Sequence, residues 1–244
     1  MKKKGFFWDL NWNLETGSEI ALLRAMNETL AAYGYSERAT QEEINSWYGV
    51  TWTEMFRRTL GTNFNEEEFK KLRIEAEALC NEVYTPKYMK RIPYSKRILT
   101  AIKEKGYPNI IISNASQAGV DKMLNQLELD DLVDIQIGLD GNPKKTTKAE
   151  LIQYYMTELN LSHVVMSGDS IGDVKTGWVC GSENKPRCEP AKTQSCITTY
   201  LFIPETRKVN GNIPEKYLSI PSTHLTTGDH RQLLKNELGI DLYT

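Results

Sequence analysis

Four short polar stretches in this sequence carry side chains suited to phosphate chemistry. Asp9 ends the apolar run 5–8, Ser113 and Asn114 follow the run 109–112, Lys148 precedes a helical pattern, and Gly168, Asp169 and Asp173 follow the run 163–166. Phosphoryl transfer is mostly positioning plus stabilisation of charge. A carboxylate at a strand end, here Asp9, is a candidate nucleophile that splits one difficult hydrolysis into two displacements. The Ser113 hydroxyl, nearby backbone N–H groups and the Lys148 ammonium are candidate donors to phosphate oxygens. A carboxylate and a phosphate repel at close range, and a hard divalent cation with oxygen ligands relieves that repulsion. Asp9, Asp169 and the backbone carbonyl of Asn11 are candidate ligands, with Asp173 one helical turn beyond Asp169 to order the metal shell.

Each residue also has a plainer role. An aspartate at a strand end commonly closes a turn or caps a helix. Ser113-Asn114 would serve as an ordinary cap for a helix starting near Ser116. Lys148 competes with Lys145 for the phosphate-facing position, and Lys144 and Lys145 suit a solvated loop. Gly168, Asp169 and Asp173 could cap and staple a helix N-terminus.

The elements that must position these residues follow from apolar patterning. The runs 5–8, 109–112, 133–137, 163–166 and 197–203 are nearly continuous, as expected of strands buried on both faces. Helical spacing lies between them, at Ile98, Leu99 and Ile102, at Val120, Met123, Leu124 and Leu127, and at Leu151, Ile152, Tyr155 and Leu159. Alternating strands and helices predict an α/β fold with a doubly wound parallel sheet, whose strands end on one ligand-binding edge. The alternation stops between about residues 17 and 86. There Ile20, Leu22, Leu23, Met26 and Leu30, then Trp47, Trp52, Met55, Phe56 and Leu60, then Phe69, Leu72, Ala76 and Leu79 predict about four helices. The expected organisation is a core over 1–16 and 87–244, with a helical cap domain inserted over 17–86. Residues 181–195 read as an insertion loop, 208–227 as a turn-rich tail, and 229–238 as a final helix ending at Gly239.

Composition bounds the function classes. The 244 residues are 40% hydrophobic and 25% charged, average for globular proteins, and the formal net charge of -2 gives no sign of a nucleic-acid or membrane partner. The basic start is followed by too short an apolar run for a secretory signal, so a cytoplasmic protein is expected. Four cysteines are too few for a disulfide scaffold. Cys80 suits packed apolar surface. Cys180, Cys188 and Cys196 read as three thiols around a loop, without the close pairs of a zinc site.

The stretches around Asp9, Ser113, Lys148 and Asp169, in that order, resemble the four motifs of haloacid dehalogenase superfamily phosphatases. The likeness spans about residues 5–180 and is greatest to the phosphoglycolate-phosphatase-like branch, which carries a helical cap. It implies a Rossmann-like core and magnesium held by Asp9, Asn11, Asp169 and Asp173. It also implies an aspartyl-phosphate formed on Asp9, with phosphate bound by Ser113, Asn114 and Lys148. The substrate would be a small phosphorylated metabolite, and the assembly a monomer or homodimer.

Asn11 departs from that pattern. Relatives carry an aspartate there that protonates the leaving oxygen and later activates water. An amide cannot exchange a proton usefully near neutral pH. Trp12 and Asn13 replace the common glycine and threonine. The expectation is therefore a magnesium-dependent phosphatase slowed by Asn11. The alternatives are a catalytically weak phosphate-binding relative, or a carbon–phosphorus hydrolase that draws a Schiff-base lysine from Lys70 or Lys71. Arg57 and Arg58 are candidates to meet an anionic substrate.

Overall fold

The computed structural model of the protein describes residues 4–47, 50–61, 65–138, 141, 147–180, 196–203, 225–226 and 230–240. Its elements run β1 Lys4–Trp8, β2 Glu15–Thr16, α1 Ser18–Ala32, α2 Gln41–Trp47, α3 Trp52–Leu60, α4 Glu66–Leu79, α5 Thr85–Tyr88 and β3 Lys90–Arg91. They continue as α6 Ser95–Glu104, β4 Asn109–Ser113, α7 Gln117–Gln126, β5 Ile135–Gly138, α8 Lys148–Glu158 and β6 His163–Gly168. The last are α9 Ile171–Cys180, β7 Cys196–Phe202, β8 Leu225–Thr226 and α10 Arg231–Leu238. Lys144, Lys145, Cys188, the stretch 181–195 and nearly all of 208–227 lie outside the described residues.

The sheet has the order β5-β4-β1-β6-β7-β8, and every pairing in it is parallel. β1 lies inside it, with Trp8 opposite Ile111 on one side and Ser167 on the other. Alternate residues then serve opposite faces. Phe7, Ile110, Ile112, Val164 and Met166 pack with Leu151, Ile152 and Met156 of α8. Leu201 and Ile203 meet Val174 of α9. On the other face Asn109 Nδ2 donates to the Leu99 carbonyl of α6, and Tyr200 donates to Glu237 of α10. Both faces are covered, which is why these strands are apolar throughout. Each buried Phe, Ile or Leu contributes about 1.5–3 kcal/mol.

One strand differs from its apolar run. Residues 133–137 suggest a strand, but β5 begins at Ile135, after a 3-10 turn over Asp130–Leu132. Asp134 explains the delay. Its N–H donates to the Asn109 carbonyl and its carboxylate accepts from the Asn109 N–H, so pairing with β4 starts there.

The chain folds as two compact units, 15–90 and 1–14 with 91–244. The smaller unit has its own core of Met26, Leu30, Ile44, Met55, Phe56, Phe69, Leu72 and Ala76. Thr51 caps α3 by accepting from the Glu54 N–H, and Asn65 caps α4 by accepting from the Glu67 N–H. Gly17, which precedes α1, has φ 93° and faces the Tyr88 carbonyl so closely that a Cβ would lie 2.1 Å from that oxygen. Only glycine fits there. Among the described residues, no helix is long and apolar enough to cross a membrane.

Candidate active site

Asp9 is the residue where β1 stops. Its N–H donates to the Ser167 carbonyl at 2.8 Å, so pairing with β6 extends one residue past the strand and fixes the nucleophile candidate at the sheet edge. The chain then turns tightly, with the Leu14 N–H donating to the Leu10 carbonyl at 3.0 Å. Trp12 sits in this turn with φ 57°. The left-handed region costs a non-glycine residue roughly 1–2 kcal/mol. Burying the indole, which is 2% exposed, offsets that cost. Trp12 thus takes the backbone shape that a glycine adopts without penalty.

The neighbouring strands and helices deliver the remaining candidates. Ser113 is the last residue of β4; its Oγ accepts from the Ala115 N–H at 3.2 Å and donates to Asn11 Oδ1 at 3.4 Å. Asn114 follows it and is exposed. The cap of α7 is Ser116, which accepts from the Gly119 N–H, so Ser113 does not have that task. Lys148 opens α8 behind a reciprocal cap, in which Thr147 accepts from the Glu150 N–H and Glu150 accepts from the Thr147 N–H. A lysine at a helix N-terminus opposes the helix dipole by about 0.3–1 kcal/mol. Two carboxylates outweigh this, for Lys148 Nζ donates to Asp9 Oδ1 at 2.7 Å and to Asp173 Oδ1 at 2.8 Å.

Asp173 has a double role. Its Oδ2 accepts from the Ser170 N–H at 3.1 Å and the Ser170 hydroxyl at 2.6 Å, which fastens the start of α9. Gly168 makes room for it, because a Cβ at that position would lie 2.4 Å from Asp173 Cβ and Cγ. The helix-stapling role and the site role therefore coexist in one carboxylate.

Asp9, Ser113, Lys148, Asp169 and Asp173 are each at most 8% exposed. Carboxylate oxygens of Asp9, Asp169 and Asp173 lie within 4.8 Å of one another. Burial pushes the Asp9 carboxyl above the usual range, and the Lys148 ammonium only partly reverses this. Burial acts the same way on Asp173, but Lys148 and Ser170 overcome it and hold that carboxyl below the usual range. Burial alone would lower Lys148, yet Asp173 and Asp9 raise it, so the ammonium stays charged. Three buried carboxylates against one ammonium suit a hard cation with oxygen ligands.

The structure brings Asp9, Asn11, Ser113, Lys148, Asp169 and Asp173 to one edge of the sheet. The arginine candidates belong to the smaller unit, where Arg57 and Arg58 both pair with Glu54 of the same helix. Lys70 and Lys71 are exposed on α4. Sequence reasoning did not single out Asn13 and His230 as site residues. Asn13 is fully buried beneath the Asp9 turn and bonds to His230 across 217 residues. Asn13 stood two residues beyond Asn11, but nothing in the pattern around His230 pointed to it.

A family described as haloacid dehalogenase-like hydrolase matches residues 16–182, a span that includes Ser113, Lys148, Asp169 and Asp173 and begins after Asp9. A phosphoglycolate phosphatase of Aquifex aeolicus (strain VF5) is 26% identical over 220 residues, covering 88% of this chain and 92% of that protein. A crystal structure described as a predicted phosphoglycolate phosphatase from Haemophilus somnus 129pt superimposes with a TM-score of 0.65 at 19% identity, over 74% of this chain and 83% of that one. CbbY from Rhodobacter sphaeroides, solved with phosphate, gives a TM-score of 0.62 at 16% identity, over 81% of this chain and 93% of that one. These two likenesses carry the fold, and the family match, covering more than half of the sequence, carries membership: the chain belongs to the haloacid dehalogenase-like hydrolases.

Proposed function

We propose that the protein is a magnesium-dependent phosphatase acting on a small phosphorylated metabolite through an aspartyl-phosphate on Asp9. The observation that carries this reading is the meeting of Asp9, Lys148, Asp169 and Asp173 at one buried point. Asp9, Asp169, Asp173 and the Asn11 carbonyl would hold Mg2+, which supplies positive charge to offset repulsion between phosphate and carboxylate. Asp9 attacks phosphorus, the bond to the leaving oxygen breaks, and that oxygen takes its proton from solvent. Lys148 and the Ser113 hydroxyl donate to the phosphoryl oxygens, where charge accumulates. Water then attacks phosphorus and gives its proton to solvent, the bond to the Asp9 oxygen breaks, and phosphate leaves with the carboxylate restored.

Asn11 sets the pace of both steps. Its amide can hydrogen-bond but cannot transfer a proton to the leaving oxygen or take one from water near neutral pH, so binding outlasts turnover. The second reading, a phosphate-binding relative with little turnover, rests on this same residue. The helical insertion is proposed as a cap that closes over substrate and excludes water. The Aquifex relative makes phosphoglycolate and similar small phosphorylated acids the first compounds to screen.

Magnesium titration by calorimetry, on the intact chain and on Asp9→Asn and Asp169→Asn, tests the site. Affinity should fall in both variants, and unchanged affinity in either would remove the assignment. A metabolite screen on the chain and on Asn11→Asp separates the two readings. Turnover that appears or rises in Asn11→Asp supports a slowed phosphatase, and none in either protein supports the binding relative.

A further inference from the structure

Beneath the Asp9 turn lies a buried polar cluster whose side chains take no part in the reaction proposed above. Asn13 Nδ2 donates to the Asp9 carbonyl at 3.0 Å and to the Ser167 carbonyl at 2.9 Å. Asn13 Oδ1 accepts from the Ser167 hydroxyl at 3.0 Å and faces His230 Nε2 at 2.9 Å. Both amide hydrogens are committed to carbonyls, so the oxygen must be the atom turned to His230. An acceptor oxygen requires a donor, which assigns the Nε2–H tautomer. His230 Nδ1 is buried and has no hydrogen-bond partner among the described residues. The imidazole lies flat on Phe202, with centroids 4.5 Å apart and planes 1° apart, and meets Trp8 edge-on at 5.7 Å. His230 thus meets Trp8, the residue before Asp9, through an edge contact of its ring, and the turn after Asp9 through its proton.

We propose that His230 is a positioning residue for Asp9: by donating to Asn13 it orients the amide that grips the Asp9 and Ser167 carbonyls, and so sets the direction of the nucleophile. This rests on the reading of Asp9 as nucleophile. The residue stands at the start of α10, so the C-terminal helix is part of the site's framework although it contributes no reacting atom. Small displacements of a reacting group cost rate steeply, about 10²-fold for roughly 1 Å.

The test uses beryllofluoride with Mg2+, a mimic of a phosphoryl group on a carboxylate, followed by fluorine NMR. His230→Phe keeps the stack and deletes the donor; His230→Gln returns an N–H near the same place. Wild type and His230→Gln should bind alike, while His230→Phe, shown folded by circular dichroism, binds about tenfold or more weakly. In an Asn11→Asp background with p-nitrophenyl phosphate, His230→Phe should lower kcat with little change in KM. Equal binding by His230→Phe, or a loss in His230→Gln as large as in His230→Phe, overturns the inference. Absence of beryllofluoride binding in the wild type overturns the reading of Asp9, and the inference with it. Should His230→Phe not fold, nitrogen-15 NMR of the native protein decides: with three histidines in the chain, the His230 signals are those lost in His230→Gln. An Nε2–H tautomer is expected, and an Nδ1–H tautomer overturns it.

Discussion

The Lys148 ammonium sits 2.8 Å from Asp173 Oδ1, and the two side chains come from the first turns of neighbouring helices, α8 and α9. Asp9 Oδ1 lies on the same ammonium at 2.7 Å. One cation therefore ties a strand end to two helix starts, and its removal should be felt by all three.

Lys148→Met should destabilise the metal-free protein by about 3–5 kcal/mol, because it leaves buried carboxylates without their counter-charge. Magnesium should restore more stability to the variant than it adds to the wild type. Urea unfolding with chelator and with Mg2+ measures both effects. Equal stabilisation of the two proteins by Mg2+ would contradict the shared site.

Asn11→Asp should raise hydrolytic turnover about 10²–10⁴-fold on p-nitrophenyl phosphate with Mg2+, the range general acid–base help contributes. The gain should fall on kcat, since the backbone carbonyl at this position is retained. Steady-state kinetics on the pair of proteins reads it, and identical kcat values would remove residue 11 from the chemistry.

Gly168→Ala should weaken magnesium binding and destabilise by about 1–3 kcal/mol, because the new methyl drives Asp173 from its place. Calorimetric titration and thermal melts check this. Full retention of magnesium affinity would show that Asp173 is not needed where it stands.

Acid stability should depend on Glu237. Burial alone would raise its carboxyl, but His163, Lys4 and Tyr200 outweigh burial and lower it to about 2, against 4.5 ordinarily. A depressed folded value means the stabilisation is complete above the ordinary value and disappears as pH falls from about 4.5 through 2. Allowing for solvent screening, Glu237→Gln should cost about 2 kcal/mol at pH 7 and almost nothing near pH 2. Urea titrations across pH report it, and parallel curves for the two proteins would contradict the assignment. Asp173 shares this sign, so the wild type should lose stability on the same acid limb.

Much of this site was legible because it is local. Asp9 and Ser113 each stop an apolar run, Asp169 follows one after Ser167 and Gly168, and a buried strand fixes where its last residue emerges. Lys148 is preferred over Lys145 for its spacing before a helical pattern; the cap formed by Thr147 and Glu150 around it is a feature of the structure, and Lys145 lies outside the described residues. Asp173 was ambiguous for a physical reason: the spacing that lets it staple α9 to Ser170 also lets it reach Lys148. His230 was not legible at all. Its partner lies 217 residues away, and a lone histidine before a short helix carries no periodic or motif signal. The start of β5 departs from its apolar run because Asp134 acts through side-chain hydrogen bonding, which apolar patterning does not record.

The interior position of β1 has a kinetic consequence. Lys4–Trp8 is synthesised well before β6, with which it pairs on one side, and the Asn13–Ser167 contact beneath the turn spans 154 residues. Closing loops of that length is slow, and long-range parallel pairing is exposed to misassociation while it waits. During translation β1 must therefore stay unpaired on its β6 edge until His163–Gly168 has left the ribosome, which leaves an apolar strand edge open to misassociation in the interval.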